Sequence, residues 1–93
     1  MPKANVRVIK RGNIKRFNLG NLDEVPASPG AYRLLNNYKR DIYVGSAENL
    51  RTRLHSYYNN RKYNAHYIAW GMTHDVDKAR LLERMWIEKF HPV

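Results

Sequence analysis

The sequence contains no cysteine, so neither a disulfide framework nor a thiolate zinc site can hold its fold together. Long apolar runs are missing as well: the longest, Tyr67 to Met72, is far too short to span a bilayer. No apolar stretch of signal-peptide character follows the first five residues. The basic residues are spread along the chain and do not line one face of a lone amphipathic helix. A soluble, cytoplasmic protein with no membrane partner is the expectation. Glycines are few and scattered, at 12, 20, 30, 45 and 71, which leaves no glycine-rich phosphate cradle. The four histidines, at 55, 66, 74 and 91, show no metal-ligand spacing, and no serine sits in a nucleophile elbow. Acids are scarce too. Eight Asp and Glu stand against seventeen Lys and Arg, a net charge of +9 on 93 residues. Such a chain repels itself unless its partner is anionic, and nucleic acid is the leading candidate.

What remains supports one small domain. Hydrophobic residues make up 43% of the chain and aromatics 12%, enough for one thin core and too much for wholesale disorder. Residues 5–20 read as a basic hairpin, with Arg11-Gly12-Asn13 as its turn. Asp23, Glu24 and Pro26 mark a connecting segment over 21–29. Residues 31–35 and 41–45 are short strands flanking the polar turn 36–40. Beyond Gly45 the period changes: Ala47, Leu50, Leu54, Tyr57 and Tyr58 recur at helical spacing, with Ser46 placed to cap them. A third strand follows at 67–72. Asp75 and Asp77 then open a second helix, whose inward stripe is Ala79, Leu82, Met85, Trp86 and Phe90 and which Pro92 stops. The order implies a small α/β (α+β) layer.

Three features carry chemistry, each with a plainer alternative. Folding residues 31–45 symmetrically about Asn37-Tyr38 sets Tyr32 opposite Tyr43; the plain alternative is an aromatic pair that only packs. Arg53 shares a helix face with Tyr57, where a solvated arginine is the unremarkable alternative. Glu83 lies among Ala79, Leu82, Met85 and Ile87. A carboxylate there needs a cation, and Arg80 or Arg84 could supply it without any chemistry. Taken together, one carboxylate for a hard divalent metal, one arginine for phosphate and hydroxyls for protons are what phosphodiester hydrolysis requires. Further contacts to nucleic acid are expected from Arg7, Lys10, Arg11, Lys15 and Arg16 in the hairpin, and from Arg51, Arg61 and Lys62 on and after the first helix.

These residues also form a pattern. Pro29-Gly30-Ala31-Tyr32 and Ile42-Tyr43-Val44-Gly45 resemble the paired elements of the GIY-YIG nuclease superfamily. Residues 45–54 resemble the helix that follows in that family, above all in the N-terminal incision domain of the repair nuclease UvrC, and residues 79–92 resemble its last helix. The likeness runs from about residue 26 to the end, which divides the chain into a basic extension (1–25) and a nuclease domain (26–93).

The resemblance implies a three-stranded antiparallel sheet flanked by helices. It also implies DNA cleavage dependent on Mg²⁺ or Mn²⁺, in a repair setting where a partner subunit supplies specificity. It makes Tyr32, Tyr43, Arg53 and Tyr57 catalytic and Glu83 the metal ligand. Tyr32 is the first choice for the base that deprotonates water and Tyr43 the second, with the two roles not separated by sequence. Ser46 departs from UvrC, which has a lysine there. Two other readings stand beside this one. A non-cleaving nucleic-acid module, or one subunit of a larger nuclease, keeps the fold; a ribosome-associated basic protein explains the charge but not Glu83.

Overall fold

The structure is a computed structural model that describes residues 6–61 and 63–92. Its elements run β1 (Lys10–Arg16), α1 (Leu19–Leu22), β2 (Gly30–Leu35), β3 (Asp41–Ala47), α2 (Leu50–Asn60), β4 (Tyr67–Met72) and α3 (Val76–Phe90). The four strands form one antiparallel sheet in the order β1-β4-β2-β3. The fold class is as expected, but the sheet has four strands instead of three.

The fourth strand is β1, and it corrects the hairpin reading. Residues 10–16 form a single strand on β4, with Lys10 opposite Met72 and Arg16 opposite Tyr67. The apparent turn Arg11-Gly12-Asn13 is an irregularity in that ladder, whose register shifts between Gly12 and Lys15. Glycine is needed at 12 because a Cβ there would run into the Trp70 indole. Local sequence offers no hint of a contact 58 residues away, so the glycine reads as a turn. Removing residues 1–20 would strip a sheet strand and uncover Trp70, so a deletion cannot isolate what the charges of β1 do.

Alternation in the strands sorts the two faces. Tyr32 and Leu34 from β2, with Ile68 and Trp70 from β4, pack against Leu50, Leu54 and Tyr57 of α2 and against Leu22 and Val25. The opposite face meets α3, where Gly71 lies against Leu82 and Trp86. There Arg33 makes a two-pronged ion pair with Asp41, at 2.6 and 2.9 Å, while its guanidinium lies 3.5 Å from the centre of the Phe90 ring. The link ties β2 to the start of β3. Met85, expected to point inward, is exposed, so the inward stripe is Ala79 and Leu82 with Trp86 and Phe90 half-buried.

Both long helices are capped by short polar side chains. Asp75 accepts from the Lys78 amide at 2.8 Å, and Asp77 and Lys89 complement the dipole of α3 at its two ends. The cap of α2 is Asn49, which accepts from the Thr52 amide at 3.0 Å. Ser46, expected in that role, stays within β3 because the strand continues two residues past Gly45.

Candidate active site

β3 is an edge strand of the sheet, and its two faces carry different chemistry. Tyr43 and Gly45 lie opposite Leu34 and Tyr32, on the α2 side; Ser46 lies opposite Ala31, on the α3 side. Tyr32 and Tyr43 are therefore not directly opposite, as symmetric folding would have them. The turn is centred one residue later, where Asn36 accepts from the amides of Tyr38 and Arg40 and Lys39 takes a positive φ of 61°. The two rings meet diagonally, centroids 6.1 Å apart. Gly45 makes room for this, since a Cβ there would sit 2.5 Å from the Tyr32 hydroxyl and 2.8 Å from the Tyr43 ring.

On the α2 side the tyrosines form a connected group. The hydroxyls of Tyr32 and Tyr57 are 2.9 Å apart, and the Tyr43 ring meets Tyr57 edge-on at 6.3 Å and stacks on Tyr63 at 4.5 Å. The Tyr57 hydroxyl titrates below the ordinary phenol value. Burial is the largest single influence and opposes ionisation, but the hydrogen bonds from Tyr32, Arg53 and Tyr43 and the charge of Arg53 together outweigh it. Tyr32 moves the other way, first because it is buried and then because it faces Tyr57. Tyr43 is pushed up to about 12, by burial and then by the charges of Tyr57 and Tyr63. Tyr57 keeps 9% of its surface in solvent while Tyr32 keeps none. Burial of this kind cannot be seen in a motif.

On the α3 side, the Ser46 hydroxyl donates to Glu83 Oε1 at 2.6 Å, and the Ser46 carbonyl accepts from Arg53 Nη1 at 3.4 Å. Neither Arg80 nor Arg84 forms an ion pair with Glu83 among the described residues. Ser46, Arg53 and Arg80 instead line a cleft of about 330 Å³ between the starts of α2 and α3. Two guanidiniums and two helix N-termini, against the one carboxylate of Glu48 in the same lining, make that cleft suited to an anion. Arg80 and the Ser46 bridge were not legible as functional. The sequence signal for Arg80 is its position three residues before Glu83, close to the start of the same helix.

No three His, Asp or Glu side chains converge among the described residues; what stands at this edge is the single carboxylate of Glu83. That suits Mg²⁺, which binds through one or two carboxylates and keeps several waters. A short hydrogen bond from Ser46 fixes one oxygen of Glu83.

The remaining basic residues are dispersed. Arg7, Lys10, Arg11, Lys15 and Arg16 are exposed on and before β1, at the sheet edge away from β3 and roughly 14 Å from it at ordinary strand spacing. Lys15 pairs with Glu24 at 3.2 Å, and the Arg16 guanidinium lies 5.7 Å from the centre of the Tyr67 ring. Arg51 is spent on the fold, donating to the carbonyls of Val25 at 2.7 Å and Asp23 at 3.3 Å. Arg61 is exposed just past α2, and Lys62 lies outside the described residues.

Comparison with known proteins agrees with this architecture. The family model for the UvrC-like GIY-YIG domain matches residues 28–93. The UvrABC system protein C of Renibacterium salmoninarum is 37% identical over 79 residues, covering 74% of this chain and 12% of the relative. That of Tropheryma whipplei (strain Twist) is 36% identical over 78 residues, covering 74% and 13%. The chain therefore spans about one eighth of the length of these relatives. Among solved structures, it is similar to the GIY-YIG N-terminal endonuclease domain of UvrC from Thermotoga maritima, bound to its catalytic divalent cation, magnesium. The TM-score is 0.66 with 28% identity, over 78% of this chain and 89% of that one. With the tyrosine group, Arg53 and Glu83 set along β3 of a matching fold, this chain belongs to the UvrC-like GIY-YIG domain family.

Proposed function

We propose that the chain is a divalent-metal-dependent endonuclease that hydrolyses phosphodiester bonds in DNA. The observation that supports it most is Ser46, whose side chain holds the one carboxylate and whose backbone holds the one arginine that single-metal hydrolysis needs. Glu83 would hold Mg²⁺ or Mn²⁺. When bound, the cation supplies positive charge to the scissile phosphate and to the departing 3′ oxygen.

The protein does the rest. Arg53 presents a planar fork to a phosphate oxygen, and Arg80 lines the same cleft. Tyr57 accepts the proton of the attacking water, its phenolate stabilised by the Tyr32 hydroxyl and Arg53. Tyr43 packs against Tyr57 and shields it. Tyr57→Phe is expected to slow cleavage by about 10²–10⁴-fold, the usual worth of a positioned base. Since the Tyr57 value is lowered, the wild-type rate should climb with pH at unit slope and level off below pH 10. A Tyr57→Phe profile that keeps this limb would reassign the base.

The basic strand β1, within a 1–25 extension to the 26–93 nuclease unit, adds affinity without entering the site. Wild-type binding to duplex DNA should weaken with salt at a slope of about −5 in log K against log concentration, equivalent to five or six phosphate contacts. Replacing Lys10, Arg11, Lys15 and Arg16 with Gln should flatten that slope and raise KM more than it lowers kcat. An unchanged slope would remove β1 from the interface. The relatives are components of a UvrABC system, and we infer that lesion or sequence choice comes from a partner subunit in the cytoplasm.

The reading is tested by cleavage over a panel of paired, branched, damaged and single-stranded DNAs, with Mg²⁺, with Mn²⁺ and with chelator. Metal-dependent nicking of at least one member is expected; binding without cutting throughout would leave only a recognition module.

A further inference from the structure

Beyond Tyr57, away from the cleft, lies a second concavity of about 250 Å³, walled by Phe17, Tyr57, Tyr58, Arg61, Tyr63 and His66. We propose that it receives one unstacked nucleobase of the DNA substrate, beside the bond that is cut. This rests on the nuclease reading and narrows its substrate to DNA with a base free to leave the stack.

Phe17, Tyr58 and Tyr63 are half-buried walls beside the buried Tyr57, in a protein that buries Tyr32 completely. Phe17 and Tyr58 meet edge to face at 5.4 Å, and Tyr63 stands edge-on to Tyr57 at 5.2 Å. The partly exposed rings of Phe17 and Tyr58 accept any base, because every base has a π-face to stack. The rim turns sharply at its two ends, where Arg61, the left-handed C-cap of α2, and Asn64 each have a φ of 50°.

Continuity with the phosphate cleft selects the occupant. Tyr57 is shared: its hydroxyl belongs to the group around Arg53, and its ring is a wall of the concavity. A ligand that offers an anion to Arg53 and a flat ring to Tyr58 has the layout of a nucleotide. Arg61 at the rim and the net charge of +9 favour a polyanion over a peptide. An extrahelical base costs least to extrude when it is already mismatched, damaged or bulged.

The test uses the whole chain in chelator and two duplexes of one sequence, fully paired or carrying a single bulged 2-aminopurine. The bulged duplex should bind on the order of tenfold more tightly, with its fluorescence quenched as the base stacks on tyrosine. Tyr58→Leu should bring the ratio of the two affinities close to one. Should that variant not fold, wild-type protein irradiated with 5-iodouracil in the bulge gives the same answer, with attachment expected at Phe17, Tyr58 or Tyr63. Equal affinities, unquenched emission or attachment elsewhere overturns the pocket. If the paired duplex is still cut in Mg²⁺, the pocket alone has failed. If the protein neither binds nor cuts, the nuclease reading has failed with it.

Discussion

Glu83→Ala is expected to abolish cleavage while leaving DNA affinity unchanged or slightly higher. Glu83 reaches the edge of β3 from α3, and Ser46 fixes one of its oxygens at 2.6 Å. Without the carboxylate a divalent ion has no protein anchor, and the charge building on the phosphate falls to Arg53 and Arg80. Losing a Lewis acid raises the barrier by several kcal/mol, on the order of a thousandfold or more in rate. Affinity survives because a negative charge beside a phosphate is repulsive. A purely structural Glu83 would behave otherwise: activity would fall only in step with stability. Melting temperature, affinity and single-turnover rate on the one variant separate the two outcomes. Full activity in E83A would remove the metal ligand from the account.

Arg53→Gln is expected to lower the single-turnover rate by about 10²–10³-fold, the range for losing one donor to a developing oxyanion. It should also do something that loss of phosphate contact alone does not. Arg53 helps to hold the Tyr57 hydroxyl below the usual phenol range. A neutral side chain at 53 lets that value rise, so the pH at which the rate levels off should move upward. Arg53→Lys keeps the charge but not the fork, and should restore the pH midpoint more fully than the rate. A uniform drop with no movement of the profile would separate Arg53 from Tyr57.

Local patterns made much of this legible, and tertiary contacts account for what was not. The last helix could be read because its information is local: an Asp75 cap, helical spacing of Ala79 and Leu82, and Pro92 beyond its end. Tyr32, Tyr43, Arg53, Tyr57 and Glu83 were visible for a different reason, as they stand at the spacings of a known motif. Gly12 misled because its cause is Trp70, far along the chain and adjacent only once β1 joins β4. Ser46 looked like a helix cap because serine before an apolar helical repeat usually is one. In the fold it is a strand residue facing Glu83. The ordering of the tyrosines depended on tertiary neighbours, because the contacts of Tyr57 with Tyr32 and Arg53 lower it against its burial while Tyr32 and Tyr43 are raised, and no spacing encodes that.

That a metal ion on Glu83 meets the scissile phosphate is the claim on which the account turns. Its most direct test is single-turnover cleavage of a DNA duplex carrying a phosphorothioate at the cut position, as separated diastereomers. Sulfur binds Mg²⁺ poorly and the softer Mn²⁺ better. One diastereomer should therefore be cut at least tenfold more slowly than the all-oxygen duplex in Mg²⁺, and recover in Mn²⁺. If neither diastereomer distinguishes the two ions, or if both are cut in chelator, the metal does not touch the phosphate and the mechanism is wrong.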